Sequence, residues 1–265
     1  MSRFPGFLLG ILVAIATAMM ALFALVLAAA GAAPTGDIGA DRLSVIVASL
    51  TSLSVYLVPL LALLMSFDAV AGEVERGTLP LLLTYPVSRL QILLGKLLAH
   101  VTILGLATGL GYGLAAVAAI FSDPKALAGL PSLWRLVWSS VLLGATFLGA
   151  GYALSALTRR TSSAAGLAIG LWLAVVVLYD LALLALIVSD AGGPLTTRVL
   201  PVALLSNPAD AFRIFNLSAA QAVSAAGGIG GAADAIPLWQ SAASIMLWPA
   251  AAMALAWAAF RKATP

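Results

Sequence analysis

Six long apolar stretches, separated by short polar gaps, constrain this chain more than any other feature of its sequence. A helix needs about 20 consecutive apolar residues to cross the hydrocarbon core of a bilayer, and each stretch reaches that length. Hydrophobic residues make up 63% of the chain and charged residues only 9%, unlike a water-soluble domain. The sequence therefore predicts an all-α, polytopic membrane protein, a single domain over residues 1–265, with six transmembrane helices near 4–31, 43–67, 91–121, 133–157, 164–189 and 239–260.

The distribution of cations along the chain predicts how these helices are oriented. Lys and Arg are enriched in the cytoplasmic loops of membrane proteins, most strongly next to helix ends. An even number of spans places both termini on one side, and cytoplasmic termini put eight cations on that side against five outside. The eight are Arg3, Arg76, Arg89, Lys96, Arg159, Arg160, Arg261 and Lys262; the five are Arg42, Lys125, Arg135, Arg198 and Arg213. We therefore expect both termini in the cytoplasm.

The residues of this chain exclude several kinds of chemistry. The sequence has no cysteine and one histidine, His100, so disulfides, thiolate ligands and paired-histidine metal motifs are excluded. Gly95-Lys96 is followed by leucine and has no glycine-rich loop before it, so it is not the phosphate-binding loop of an ATPase. The cations do not form the basic stripe of a nucleic-acid surface. We therefore expect no catalytic residue, no metal site, no directly bound cofactor and no nucleic-acid partner.

A compact group of charges interrupts the apolar sequence between the second and third predicted spans. A charge at the centre of a lipid-exposed helix costs roughly 2.5–3.5 kcal/mol, so this group must lie in water or against a soluble partner. A short helix is expected to begin near Phe67-Asp68, where the macrodipole favours an acidic residue, with Glu73, Glu75 and Arg76 projecting from its end and Gly77 as its C-cap. The segment is either a short cytoplasmic coupling helix, which receives force from a partner, or an ordinary solvated turn. Its residues are Asp68, Glu73, Glu75, Arg76, Gly77 and Thr78.

The longest predicted stretch outside the membrane, residues 190–238 on the external side, contains a second helix signal. Asn207 suits the N-cap and Pro208 the first helical position, so a short amphipathic helix is expected to follow. Phe212 and Phe215 fall on its apolar face, where we expect both rings to be exposed. The helix lies either on the membrane surface or under a periplasmic partner, since aromatic side chains commonly dominate binding energies. The predicted docking residues are Asn207, Pro208, Asp210, Phe212, Arg213 and Phe215.

Two further features lie within the predicted spans. Asp180 lies about two-thirds of the way along the fifth span, where a carboxylate is costly and often functional. It is either a site that meets polar cargo or a proton, or a structural carboxyl bonded within the bundle. Gly105, Gly109 and Gly113 form a small-residue face on the third span. Such faces let helices approach closely, and we expect this one to serve packing within a subunit rather than dimerisation.

Three segments give the chain a family resemblance. FDAVAGEVERGTLPLLLTYPVSRLQILLGKLLAH, residues 67–100, resembles the first cytoplasmic loop of ABC-2-type transporter permeases. LLSNPADAFRIFNL before the last span and TRRTSSAAG at 158–166 are similar to the NosY-type membrane subunits of the ABC transporter that serves nitrous oxide reductase maturation. The resemblance covers essentially the whole chain. One departure is the start, where only Met1-Ser2-Arg3 precede the first span and the family pattern has an amphipathic elbow helix.

The resemblance implies a set of partners. It implies a homodimer of this subunit among the lipids of the bacterial inner membrane, and two cytoplasmic ABC ATPase subunits that bind ATP and Mg²⁺. It also implies a periplasmic accessory protein on the external face and a role in maturing the copper sites of nitrous oxide reductase. The chain either moves a small solute or transmits a conformational change with nothing crossing the membrane. The alternative is an ABC-2 exporter of unrelated cargo, such as a drug or a lipid.

Overall fold

The computed structural model describes residues 42–190, 193–217 and 236–263, and every regular element within these ranges is helical. The all-α, polytopic fold predicted from the sequence is therefore confirmed. The elements are α1 (Arg42–Ser66), α2 (Ala71–Glu75), α3 (Leu79–Leu83), α4 (Arg89–Ser122), a 3-10 helix (Pro124–Gly129), α5 (Leu130–Leu157), α6 (Thr161–Trp172), a π-helical segment (Leu173–Leu178), α7 (Tyr179–Asp190), α8 (Pro194–Ser206), α9 (Pro208–Leu217) and α10 (Leu238–Lys262).

Five helices in the described ranges are long and apolar enough to cross a membrane. They are built on α1, α4, α5, α10 and a continuous helix that joins α6 to α7 through the π-helical segment. Their ends differ from the predicted span ends by no more than three residues. The predicted first span, residues 4–31, lies outside the described residues, so the count of six stays a prediction.

Helix α5 lies at the centre of the bundle, packed against α1, α4 and α10. In the span built on α5, 67% of an 18-residue apolar stretch is buried, whereas only 11% of the corresponding stretch in the α6–α7 helix is buried. Glycines in α5 let neighbouring helices come close. A Cβ at Gly149 would lie 2.9 Å from Ala252 Cβ and 3.0 Å from the Ala252 backbone, and one at Gly151 would lie 1.9 Å from Ser66 Oγ. These two glycines are therefore required by the packing of α10 and α1 against α5.

The glycine face predicted on the third span, now α4, behaves differently. Gly105 packs against α5, because a Cβ there would lie 3.6 Å from Val141 Cγ2. A Cβ at Gly109 or Gly113 would meet no described residue within 4 Å, and Leu110 beside them is 61% exposed. Within the described part of the chain, packing inside the subunit is therefore seen for Gly105, and for the other two glycines it stays a prediction.

Hydroxyl groups join three spans inside the bundle. Tyr112 Oη on α4 lies 2.6 Å from Ser54 Oγ on α1 and 3.1 Å from Ser140 Oγ on α5. All three side chains are fully buried. A buried hydroxyl without a partner costs about 1–3 kcal/mol. The three groups therefore favour the one rotation of α1, α4 and α5 about their axes at which all three hydroxyls are paired. That rotation in turn positions the loops at the ends of these helices.

The loops gather polar residues at two opposite ends of the bundle. One end holds the segment between α1 and α4, the turn between α5 and α6, and the last turn of α10, which are joined by hydrogen bonds. The other end holds the 3-10 helix, α8, α9 and the start of α10. The charged segment at 68–78 lies at the first end, and the residues predicted for docking lie at the second.

Helix α9 is not the surface helix that the sequence predicts. It packs against α1, α5 and α10, and Phe212 and Phe215 are only 0% and 5% exposed. Phe215 meets Trp138 edge to face, with 5.2 Å between the ring centroids. The prediction that both rings are exposed to lipid or to a partner is therefore wrong. The amphipathic pattern misleads because the polar side of α9 meets buried polar partners instead of water, and periodicity does not distinguish the two.

Candidate functional site

The coupling loop, which we define as residues 68–78, contains one short helix, α2, closed by a glycine. It begins at Ala71 rather than near Phe67-Asp68 as predicted, because residues 67–70 form a turn. Gly77 has a φ of +67°, a left-handed conformation that glycine adopts without steric cost. The Thr78 N–H donates to the Glu73 carbonyl at 2.9 Å and the Gly77 N–H donates to the Val74 carbonyl at 3.0 Å, the paired bonds of a Schellman motif. The prediction that Gly77 ends this helix is confirmed.

The start of α2 is attached to the central helix α5. Ser155 Oγ, which is fully buried, accepts hydrogen bonds from the N–H groups of Val70 and Ala71, each at 2.9 Å. The first N–H groups of a helix have no partner within the helix, so Ser155 supplies a cap from another span. Asp68 precedes these residues in the turn, and its carbonyl accepts from the Gly72 N–H at 2.8 Å. Any displacement of α2 is therefore opposed directly by α5.

Two carboxylates of α2 reach two further spans. Glu73 Oε1 accepts from Lys96 Nζ on α4 at 2.6 Å, and the same ammonium donates to the Ala69 carbonyl at 2.9 Å. Glu75 Oε2 accepts from the Thr161 N–H at 2.8 Å and from Thr161 Oγ1 at 2.6 Å. Glu75 thereby caps the N-terminus of α6, where the helix macrodipole favours a negative charge. The two acidic residues join α2 to α4 and α6.

Arg89, at the start of α4, ties the same end of the bundle to the last span. Its guanidinium donates to the carbonyl oxygens of Phe260, of Arg261 at 3.1 Å and of Ala263 at 2.9 Å. The guanidinium carbon lies 5.4 Å from the centroid of the Phe260 ring. The last carbonyls of a helix lack partners within it, and the macrodipole favours a cation there. Arg89 therefore closes the C-terminus of α10.

The outer surface of this end is partly apolar. Leu81 and Tyr85, which follow the coupling loop, are 65% and 67% exposed, and Val87 is also exposed. Arg76, in the coupling loop itself, is also exposed. Exposed apolar side chains next to a charge are typical of surfaces that bind another protein or a membrane. We call this set the coupling surface: Arg76, Leu81, Tyr85 and Val87.

At the opposite end, an arginine and two carboxylates form a network. Arg213 Nη2 lies 2.7 Å from Asp180 Oδ2, and Arg213 Nη1 lies 3.1 Å from Asp180 Oδ1 and 3.0 Å from Asp210 Oδ1. Tyr56 Oη donates to Asp180 Oδ2 at 3.4 Å. The Arg213 fork thus pairs both oxygens of Asp180, a strong and directional arrangement. The structure brings Asp180 together with two residues predicted for docking, and its carboxyl is bonded within the bundle.

Asn207 connects α9 to the fifth predicted span. Its Oδ1 accepts from the Ala209 N–H at 2.9 Å, and α9 begins at Pro208, as the sequence predicts. Its Nδ2 donates to the Val175 carbonyl at 2.8 Å. Val175 lies in the π-helical segment, an irregularity that frequently occurs at functional sites. Asn207 therefore caps one helix and anchors it to another.

At the external end, sequence analysis identifies all three members of the Arg213 network. At the coupling end it identifies Glu73 and Glu75 as site residues but not the side chains that meet them or that attach the loop to other spans. The unidentified partners carry ordinary helix-end or small polar side chains, so no local pattern marks them. One readable signal exists, a capping box at the start of α4: Ser88 Oγ accepts from the Gln91 N–H, and Gln91 Oε1 accepts from the Ser88 N–H. This capping box marks where α4 begins, but it does not show what Arg89, the residue after Ser88, contacts. The unidentified partners are Arg89, Lys96, Ser155 and Thr161.

Membrane-length helices, with structured polar segments at both ends, define the class of this chain as a polytopic membrane protein. The family model described as ABC-2 family transporter protein matches residues 53–264, and the chain belongs to this family of transporter permeases. It is 48% identical over 226 residues to the probable ABC transporter permease protein NosY of Pseudomonas aeruginosa, which covers 84% of this chain and 82% of that relative. A second NosY permease, from Stutzerimonas stutzeri, is 45% identical over 215 residues, 80% of this chain and 77% of the relative. The resemblance to NosY-type permeases is confirmed.

Proposed function

We propose that this chain is the permease subunit through which ATP hydrolysis by a separate cytoplasmic subunit drives transport or a conformational change across the membrane, in support of copper-site maturation of nitrous oxide reductase. The observation that carries the proposal is the attachment of the coupling loop to α4, α5 and α6 at once. Membership of the ABC-2 family supports the ATPase partner, and the similarity to NosY permeases supports the service to nitrous oxide reductase.

The contacts of the coupling loop are suited to passing a displacement into the bundle. They are short polar contacts of 2.6–2.9 Å, and each ends near the terminus of a span. Arg89 extends the connection to α10. A force applied to α2 is therefore distributed over four spans rather than absorbed by one loop. Because the chain has no phosphate-binding loop, ATP and Mg²⁺ belong to the partner subunit.

A homodimer in the bacterial inner membrane agrees with the faces that the described residues leave uncovered. The apolar window of the α6–α7 helix is only 11% buried, and Gly109 and Gly113 leave α4 open to a close approach. Small-residue faces of this kind allow helices of two subunits to pack. We place the coupling surface and both termini on the cytoplasmic side, with lipid around the rest of the bundle.

A periplasmic partner must bind the external end through side chains other than Phe212 and Phe215, which the chain itself buries. Val202 on α8 and Trp239 at the start of α10 are 67% and 69% exposed, and they offer apolar contact area. In this arrangement the residues predicted for docking do not contact the partner but hold α9 in place within the chain. Among them, Asn207 anchors α9 to the fifth span and Arg213 pairs with Asp180.

Two variants separate binding of the ATPase subunit from transmission. We expect Leu81→Ala/Tyr85→Ala to lose the ATPase subunit, because two exposed side chains of the coupling surface are removed. Glu75→Gln should keep the subunit and lower ATP-driven activity, because an amide binds the α6 terminus less strongly than a carboxylate. Co-purification from membranes measures the first effect, and ATP hydrolysis together with reductase maturation in cells measures the second.

Phe121→Ala is the matched control, since Phe121 is 88% exposed at the opposite end of α4. It should leave binding and activity unchanged. Binding of the ATPase subunit at wild-type strength by the double variant would mean that Leu81 and Tyr85 rest on lipid headgroups. Normal reductase maturation in cells that lack this permease would separately contradict the role in copper-site assembly.

One open groove favours the alternative, an exporter of an unrelated apolar molecule such as a lipid. It has a volume of about 480 Å³, lies between α8 and α10, and has Trp239, Leu247 and Trp248 among its walls. Ala243→Trp would fill this space, because Ala243 also lines it. Loss of lipid transfer between leaflets in reconstituted vesicles, with reductase maturation intact, would favour the exporter. Loss of maturation without any lipid transfer by the wild type would exclude it.

A further inference from the structure

The charges of the Arg213 network do not balance, and the proposed function makes no use of that imbalance. Asp180 and Asp210 share one guanidinium, so the fully ionised network carries a net negative charge. The Asp210 side chain is only 1% exposed, and its Oδ2 has no hydrogen-bond partner in the described part of the chain. An unpaired, buried carboxylate oxygen is costly, and a protein commonly relieves that cost by protonating the group.

A proton fits this place better than a metal cation does. Arg213 already donates to three of the four oxygens of the acid pair, and only Asp210 Oδ2 is left. Ca²⁺ and Mg²⁺ need about six or more oxygen ligands, and the described residues contain no cluster of three acidic, histidine or cysteine side chains that could hold a metal. A proton needs only the free oxygen and an acceptor near it, and the Asp180 carboxylate is near because Asp180 Oδ1 and Asp210 Oδ1 accept from the same Arg213 Nη1, at 3.1 and 3.0 Å.

We propose that Asp210 binds a proton at Oδ2 and donates a hydrogen bond to the Asp180 carboxylate, so that this acid pair and Arg213 form a one-proton site that locks α9 to the fifth span. Two carboxyl groups in one site cannot both ionise freely, and sharing a proton is a known solution. With the proton bound, the network is neutral. Without it, two like charges oppose each other beside Arg213, and the link between α9 and α7 weakens.

The electrostatic environment of Asp210 supports binding of the proton near neutral pH. Burial of its carboxyl raises the pKa, Arg213 lowers it and Asp180 raises it again, which leaves the pKa of Asp210 at about 7. The folded-state pKa is thus above the ordinary value of 3.8. Protonation therefore contributes stability that is fully present below about pH 4 and is lost as the pH rises through about 7.

The titration belongs to the acid pair, because the helices packed around α9 bring few other charges to it. The groups that face α9 from these helices are Tyr56 of α1, Asp180 of α7 and Arg135 of α5, whose guanidinium lies 5.5 Å from the Phe215 ring centroid. The other described charges on these helices are engaged or located elsewhere: Asp190 accepts from the Thr196 N–H, Arg198 is exposed, and Arg261 and Lys262 lie in the last turn of α10.

Infrared spectroscopy of the full chain in lipid nanodiscs tests the site directly. We expect the C=O stretch of a protonated carboxyl to appear as the pH falls, with a midpoint near 7, and to be missing from Asp210→Asn. Asp123→Asn is the control, because it removes a carboxyl outside the network, and it should keep the band. Replacing sodium by choline in the buffer should leave the midpoint unchanged.

Thermal unfolding in the same nanodiscs provides a second readout. The wild-type unfolding temperature should fall as the pH rises through about 7, and Asp210→Asn, which mimics the protonated acid, should lose that dependence. If Asp210→Asn does not insert, Asp180→Asn replaces it: Arg213 then serves Asp210 alone, and the midpoint should move to lower pH. A carboxyl band that is absent from the wild type at about pH 6, survives in Asp210→Asn or follows sodium would overturn the proton site.

Discussion

At the scale of single residues, Arg213 joins features that look unrelated in the sequence. It pairs with Asp180 in the fifth span and with Asp210 in its own helix, and its side chain is only 15% exposed. Removing one partner of a buried ion pair leaves the other charge without compensation. That residual charge, rather than the attraction itself, dominates the loss of stability. The same reasoning applies to Glu73 and Lys96, which are also partly buried.

We predict that Arg213→Gln lowers the free energy of unfolding by roughly 3 kcal/mol, the lower end of the range for breaking a buried pair, since Asp180 is 24% exposed. Adding Asp180→Asn should restore part of the loss, because one uncompensated carboxylate is then removed. Reversible unfolding in mixed micelles measures both variants. Arg198→Gln, at an exposed position on α8, is the control and should change stability by less than about 0.5 kcal/mol. A double variant no more stable than Arg213→Gln would contradict this account.

At the scale of elements, the close contacts around α5 decide how the bundle packs. Gly149 meets the backbone of α10 at Ala252, so no change of side-chain rotamer can make room for a methyl group there. Gly109 on α4 has no described neighbour within 4 Å. The two glycines look alike in sequence, since each lies inside a long apolar helix with small residues nearby. Their difference arises only from which helix lies opposite.

We predict that Gly149→Ala destabilises the subunit by about 1–3 kcal/mol, the usual cost of overpacking a tight contact. Gly109→Ala, the matched control, should be neutral or slightly stabilising for the subunit, because alanine favours the helix by roughly 1 kcal/mol over glycine. Thermal unfolding of the detergent-solubilised subunit compares them. Equal destabilisation by both substitutions would show that a neighbour also covers Gly109, and would contradict the open face of α4.

At the scale of the whole molecule, the two ends of the bundle differ in how they are built. The coupling end is held by clusters of two or three polar contacts near helix termini, and its outer surface is exposed. The opposite end is closed by α9, which is buried among three spans. An exposed surface suits a partner that binds and releases, whereas a buried helix suits a rigid cover. Which end faces the cytoplasm stays the prediction made from the cations.

We predict that single cysteines introduced at Ser122 and Ser163 react with reagents from opposite sides of the membrane. Both serines are exposed, and they lie at opposite ends of the bundle. The native chain has no cysteine, so no background labelling is expected. In intact cells Ser122→Cys should react with a membrane-impermeant maleimide, and Ser163→Cys should react only after permeabilisation. The reverse pattern would invert the topology.

The sequence by itself determined the fold class and the local helix ends. A bilayer admits few ways to satisfy a backbone, so long apolar stretches are enough to predict spanning helices. Gly77 as a C-cap and Asn207 with Pro208 at a helix start were also predictable, because these signals act within a few residues along the chain.

Only the tertiary structure decided which residues meet. Asp180 and Arg213 are 33 positions apart, and Glu75 and Thr161 are 86 apart, so neither pair leaves a local pattern. The burial of Phe212 and Phe215 was equally invisible, since an amphipathic helix has the same periodicity against water as against buried polar groups. The physical reason is common to all three: hydrogen bonds and burial depend on neighbours in space, whereas propensity and periodicity report only neighbours along the chain.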